Sequence, residues 1–487
     1  MTVALVVGLF ALPAWVVILA GILPGRMASD QLLFHEVAVR VFAEQLPSPN
    51  LADYRSATTP GYHLVLAGLD ASVGLNRAAL QLAGSLFTVG LLGLAAWLAY
   101  RGGARGAAAA LCAPLVASLY IWPAGVWLLP DNAGWLGVVG VLAIALHGRT
   151  TAHFVLGGVV LAALVWMRQI HLWAAAPLWL SAWLGYKLVE QQAEETPGAS
   201  SGWIASLRAE FAWMLSRPGP RVKRTAIAVA CTIPAFGFVA WFAWMWGGLT
   251  PPLFQEGGDL AGGHQGVNLA APAFVLALFG LFTPFFAGIL HVPGQRLVRE
   301  CKAGLLVAAL AGVLIAAVVP TSYDKAAGRW TGLWNIVQKV PAPMDRSPVI
   351  IALAAAGAVA LVFWCAALSR RDRWIFLSAI AGFAAALTAT HELWQRYVEP
   401  FVLILLVLMA SRAMARPINR IGGMSLRDRA ARAWLLLGPV VLAAGFAALT
   451  AWTVFKSERI DPARFAEAFA AERARQGMTS EPIKESP

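Results

Sequence analysis

Residues 29–62 read SDQLLFHEVAVRVFAEQLPSPNLADYRSATTPGY, the first polar stretch in an otherwise apolar chain. Within it Leu33, Phe34, Val37, Ala38, Val41 and Phe42 recur at the spacing of one helix face. Glu36 and Arg40 stand opposite, in the favourable i,i+4 order. Asp30 opens the helix, where the dipole and the free backbone N–H groups favour an ionised carboxylate. The turn Thr58-Thr59-Pro60-Gly61-Tyr62 closes the loop. An amphipathic helix of this kind, set between membrane spans, lies in the interface rather than crossing it.

Those flanking spans follow from apolar length. Val3–Leu23 matches the roughly 20 residues of a bilayer crossing and has no basic n-region, so it reads as an uncleaved first span. Gly61–Gly74 is short for a crossing and contains Asp70, which suits a second interfacial helix. Further spans are expected at 79–100, 107–122, 133–147, 153–167, 170–187, 225–247, 271–290, 303–319, 348–368, 374–390, 398–414 and 434–455. The expectation is an all-α polytopic membrane protein with about thirteen transmembrane helices.

Composition agrees. Of 487 residues 59% are apolar and 13% charged, against roughly a quarter charged in soluble domains. The net charge of +12 is explained by basic loops on one side of a membrane, which sets nucleic acid aside as a partner. Cys112, Cys231, Cys301 and Cys365 lie in or beside apolar segments without CxxC spacing and read as packing residues. Alternate loops rich in Lys and Arg (101–105, 187–224, 296–302, 370–373 and 412–432) are assigned to the cytoplasm. The loops 24–60, 123–132, 248–270, 320–347 and 391–397 then share the extracytoplasmic face. The organisation expected is a transmembrane domain over 1–455, with an extracytoplasmic loop at 24–78 and a cytoplasmic loop at 188–224. An extracytoplasmic amphipathic tail follows at 456–487, with Asp461 and Pro462 starting a helix that lays Phe465 and Phe469 against the membrane.

Charged groups near membrane depth are functional candidates because desolvating them is costly. Besides Asp30 these are Asp131, Arg168, Glu256, Asp259, His264, Lys325, Arg329, Glu392 and Arg396, all emerging on one side. Plainer readings stand beside the functional ones. Asp30 and Asp131 also read as helix caps. Arg168 also reads as a snorkelling side chain, and Arg396-Tyr397 as an interfacial anchor. Glu399-Pro400 reads as a helix start.

In order along the chain these motifs resemble the GT-C membrane glycosyltransferases. Within them they look most like the dolichyl-phosphate-glucose α-1,2-glucosyltransferases, as a bacterial relative. The resemblance rests on Asp30 with Phe34-His35, on Thr58-Thr59-Pro60-Gly61-Tyr62 and on Leu129-Pro130-Asp131. It continues through Arg168-Gln169-Ile170-His171-Leu172-Trp173, Gly258-Asp259…His264 and Glu392…Gln395-Arg396-Tyr397. The pattern departs at Gln31, which stands where the family has a second acid, and at the single Pro60.

The resemblance implies hexose transfer from a polyprenyl-phosphate sugar to a hydroxyl of a lipid-linked or cell-envelope glycan. The active site would face outward from a bacterial inner membrane, or from the endoplasmic reticulum membrane in a eukaryote. Asp30 would be the general base of an inverting displacement. Arg168, Arg396, Lys325, His264 and Tyr397 would bind the donor phosphate. Asp131, Asp259, His35, Glu36, Thr58, Thr59 and Glu392 would hold the substrates. Asp30, Asp131 and Asp259 offer hard oxygen ligands of the kind Mg²⁺ or Mn²⁺ takes, although no spacing demands a metal. Two other classes stay open: a transporter or lipid flippase, which would show repeated broken spans, and a non-catalytic scaffold.

Overall fold

The computed structural model describes residues 1–185, 203–216, 218–255, 266–417, 421 and 425–478, and its described elements are helices. Seven helices are long and apolar enough to cross a membrane: Thr2–Leu19, Arg77–Arg101, Pro218–Trp246, Ala271–Glu300, Pro343–Ala367, Gln395–Met414 and Leu426–Lys456. Four shorter apolar helices, Ala108–Ala117, Asp131–His147, Thr151–Met167 and Lys302–Ala317, accompany them. Each of the apolar intervals read from the sequence falls on a helix, some of them broken. The 170–187 interval, for instance, is a 3₁₀ segment over Gln169–Ala174 leading into the helix Ala175–Leu184.

The Gln395–Met414 helix is the central pillar, buried along nearly its whole length. Phe401 stacks on Phe383 at 3.9 Å between ring centroids. Elsewhere helices approach through small residues, as membrane helices commonly do. A Cβ at Gly357 would lie 1.9 Å from the Leu276 carbonyl oxygen, so only glycine lets those two backbones meet.

The first polar loop differs from its sequence reading in an informative way. The helix starts at Gly25, after Pro24, rather than at Asp30. We label the segments α2 (Gly25–Asp30) and α3 (Glu36–Gln45), counting Thr2–Leu19 as α1; a π-helical turn over Gln31–His35 joins them. Asp30 is therefore inside a helix and makes no cap hydrogen bond. π-turns of this kind often mark functional positions, because the extra residue re-aims neighbouring side chains. The expected Glu36–Arg40 pair is not made. Glu36, 1% exposed, accepts from Arg77 at 2.8 Å and from Gln31 at 2.9 Å, while Arg40 pairs with Asp70 at 2.7 Å. Longer-range partners win because α3 is buried around most of its circumference, at Val37, Val39, Val41 and Phe42. Glu36→Ala leaves the buried Gln31 amide without that acceptor and frees the partly exposed Arg77, so it should lower stability by about 2 kcal/mol. Glu36→Gln should lose less. Denaturant titration in detergent measures both.

The second loop helix, α4 (Gly61–Val73), is 13 residues long. Gly61 begins it against α5 (Thr151–Met167), where a Cβ would stand 2.1 Å from the Trp166 ring. The Thr-Pro-Gly turn thus seats α4 on α5.

The tail helix, Ala463–Arg475, turns Phe465 and Phe469 onto Leu33, Val37 and Val41 rather than onto the membrane. Asn50 donates to Gln476 at 2.8 Å, Arg473 lies 3.4 Å from Glu44, and Arg475 reaches Asp53. The chain enters this helix through Gly25 N–H donating to Glu458 and Ile460 N–H donating to Leu23, at 2.7 and 3.0 Å. The tail is therefore a strap over the loop that carries Asp30. Phe469→Ala should loosen that strap by roughly 3 kcal/mol. Faster proteolysis between Lys456 and Arg475, with the membrane helices intact, would register it.

Candidate functional site

The loops assigned to one face do meet at one end of the bundle. Gln169 ties two of them together: its Oε1 accepts from Thr59 N–H at 2.9 Å, and its Nε2 donates to Ala57 and Leu249 carbonyls at 3.0 and 2.9 Å. Asn268 donates to the His391 carbonyl at 2.6 Å, and Leu393 N–H donates to Ala327 at 3.0 Å.

There two acid–guanidinium pairs are joined through a tyrosine. Arg396 donates to Asp30 Oδ2 at 2.6 Å through one nitrogen and to the Tyr397 hydroxyl at 3.0 Å through another. The Arg168 guanidinium lies 5.0 Å from the centre of the Tyr397 ring and donates to Asp131 at 2.5 Å. Local structure explains the placement. Arg396 and Tyr397 occupy the first turn of the central pillar, and Asp131 the first turn of the Asp131–His147 helix. Arg168 ends α5 in extended geometry. Asp131 makes no cap hydrogen bond, and Arg168 is buried rather than snorkelling.

The two pairs differ in access. Side chains of Asp30 and Arg396 are 32% and 31% exposed, those of Asp131 and Arg168 only 12% and 10%. The outer pair is partly open, whereas the inner pair is largely buried. Burial alone would raise the Asp30 carboxyl, but the Arg396 guanidinium outweighs it and holds the group below the ordinary carboxylate value. His35, one turn beyond Asp30, is pushed down to about 4, chiefly by burial, and so is a neutral imidazole.

Other expected site residues are placed differently. Glu36 is committed to Arg77 and Gln31. Thr59 is fully buried and donates to the Val165 carbonyl at 2.7 Å, and Thr58 Oγ1 lies 3.1 Å from Ser56 Oγ. All three hold the loop. Lys325 is exposed, 5.9 Å from the Trp330 ring centre; Trp330 packs edge-on to Trp394, over which Arg396 lies. Glu392 is half-buried on the 391–394 turn. Glu256, Asp259 and His264 lie outside the described residues.

Two buried groups escaped the sequence reading. His63 follows the Thr-Thr-Pro-Gly-Tyr turn directly, is fully buried, and sits 3.0 Å from His35. Glu399, read as a helix start, is 1% exposed and accepts from Ser118 at 2.8 Å and from Gln395 at 2.7 Å. A carboxyl at membrane depth is itself a signal, here hidden by the proline beside it.

Among the described residues no three His, Cys, Asp or Glu side chains gather to hold a metal. Asp30 and Asp131 are each engaged by a guanidinium, so a divalent cation between them would meet two cations. Asp259, the third carboxylate read as a hard oxygen ligand, lies outside the described residues.

Fold and site together define an all-helical, membrane-spanning type of chain with a charged site at one end. No family model and no curated protein matches it. A solved structure, ArnT from Cupriavidus metallidurans in the apo state, aligns over 83% of this chain and 76% of that one, at 15% identity and a TM-score of 0.34.

Proposed function

We propose that this protein is a GT-C-type membrane glycosyltransferase. It transfers a glucose-like hexose from a polyprenyl-phosphate sugar to a hydroxyl of a lipid-linked or cell-envelope glycan, at the extracytoplasmic face and with inversion. The observation that carries the reading is the Asp30–Arg396–Tyr397–Arg168–Asp131 chain, whose outer carboxylate is open and whose cations stand beside it.

The chemistry follows from that charge arrangement. The acceptor oxygen attacks the anomeric carbon as the bond to the phosphate oxygen breaks. Its proton passes to Asp30, and the phosphodiester leaves as a phosphate monoester with one more negative charge. Arg396 and Arg168 stabilise that charge, and Tyr397, whose oxygen accepts from Arg396, keeps its own hydrogen for the phosphate. Asp131 holds Arg168 in place. In the resting site Arg396 weakens Asp30 as a base. A donor phosphate that draws Arg396 away removes the main influence that lowers the carboxyl, and its affinity for a proton rises. Donor binding thus activates the base.

The test is a panel of labelled polyprenyl-phosphate sugars given to the purified protein in lipid, with a membrane lipid and glycan extract as acceptor. Movement of label into the acceptor fraction is expected with glucose or a close hexose. Folded protein that moves label from none of the donors, with active extract verified, would reject the reading.

A further inference from the structure

Resting on that reading, we infer that His63 fixes the tautomer of His35, so that His35 presents a neutral Nε2–H donor to the substrate and His63 acts as a positioning residue. His35 belongs to the π-turn beside Asp30, and His63 to the second turn-start of the loop, α4. Their rings stack at 5.2 Å, with His35 Nδ1 and His63 Nε2 at 3.0 Å.

Only one hydrogen fits between those two nitrogens, which leaves two arrangements. If His35 Nδ1 carried it, His63 Nδ1 would be a buried N–H, and that atom has no acceptor among the described residues. If His63 Nε2 carries it, His63 Nδ1 is a bare nitrogen and His35 Nε2 carries the outward hydrogen. Orphaned buried N–H groups are the rarer outcome in folded proteins. Half-buried His35 reaches the site, while His63 is fully buried between Tyr54 and Tyr62 and cannot touch a substrate. A neutral donor here suits a sugar hydroxyl or phosphate oxygen without adding a third cation that would compete for Asp30.

The test uses the full-length protein with ¹⁵N-labelled histidine, comparing wild type, His63→Phe, His63→Gln and His35→Gln. Long-range ¹H–¹⁵N spectra separate the two imidazole tautomers, with His35→Gln supplying the assignment. The Nε2–H form of His35 is expected in wild type and in His63→Gln, whose amide can donate in place of the ring, and a mixed or Nδ1–H form in His63→Phe. With undecaprenyl-phosphate glucose as donor probe, His35→Gln and His63→Phe should each slow transfer by roughly 10²-fold. Their double variant should be no slower, and His63→Gln should recover most of the rate. An Nδ1–H tautomer in wild type, or one unchanged by His63→Phe, overturns the inference even if transfer proceeds. The spectra decide it equally if no donor is turned over, which keeps its failure separate from that of the transferase reading.

Discussion

Asp30→Asn should abolish sugar transfer, lowering the rate by about 10²–10⁴-fold, the range a positioned general base contributes. The substitution keeps the shape of the side chain and can still accept from Arg396, so the helix and its π-turn should survive. What it removes is the only carboxylate of the charged chain that combines substrate access with a cationic neighbour: Asp131 is 12% exposed against 32% for Asp30. The loss should fall on the chemical step, with donor binding retained. Single-turnover transfer beside equilibrium donor binding separates the two. Equal rates in variant and wild type would remove Asp30 from the chemistry and support a scaffold or transport role for the chain.

Arg396→Ala is expected to cost roughly 10²–10³-fold, because it removes a preorganised donor from the departing phosphate. Lysine should restore only part, since it cannot reach Asp30 and Tyr397 in the forked geometry that the guanidinium spans at 2.6 and 3.0 Å. A pH signature accompanies the loss. In wild type Asp30 is held below its ordinary value of 3.8 by Arg396, against burial. The base is then ionised throughout the neutral range, and the acid limb of kcat/KM lies low. Without Arg396 the largest influence opposing burial is gone, the carboxyl binds its proton at higher pH, and the acid limb moves upward. A limb that stayed fixed, or moved down, would mean that Asp30 does not carry it.

Much of the helix layout was legible in the sequence, because a bilayer imposes an apolar length on every crossing and Val3–Leu23 or 398–414 satisfies it without tertiary information. The gathering of Asp30, Asp131, Arg168 and Arg396 at one end was legible too, since alternate loops must share a side. What the pattern could not show was which charge answers which. Glu36 and Arg40 satisfy the helix-pair spacing, yet each finds a better buried partner in Arg77 and Asp70. Asp30 followed the apolar first span and looked like a helix start because Gly25–Ser29 gives no strong helical period; the structure begins the helix one turn earlier. The tail phenylalanines carried the amphipathic signature of a membrane surface. An apolar helix face in the first loop presents the same chemistry, and Leu33, Val37 and Val41 claim it. His63 stood as a lone histidine in an apolar helix, a pattern that has no meaning until His35 is seen beside it.

The most direct measurement is NMR of a single wild-type reaction with a polyprenyl-phosphate hexose of known anomeric configuration, following phosphorus and the anomeric proton together. Displacement with Asp30 as base and the two arginines on the leaving group requires a phosphate monoester to form as the new glycoside appears in inverted configuration. Release of the monoester with retention of configuration, or intact donor after prolonged incubation with folded protein and a competent acceptor, would contradict it.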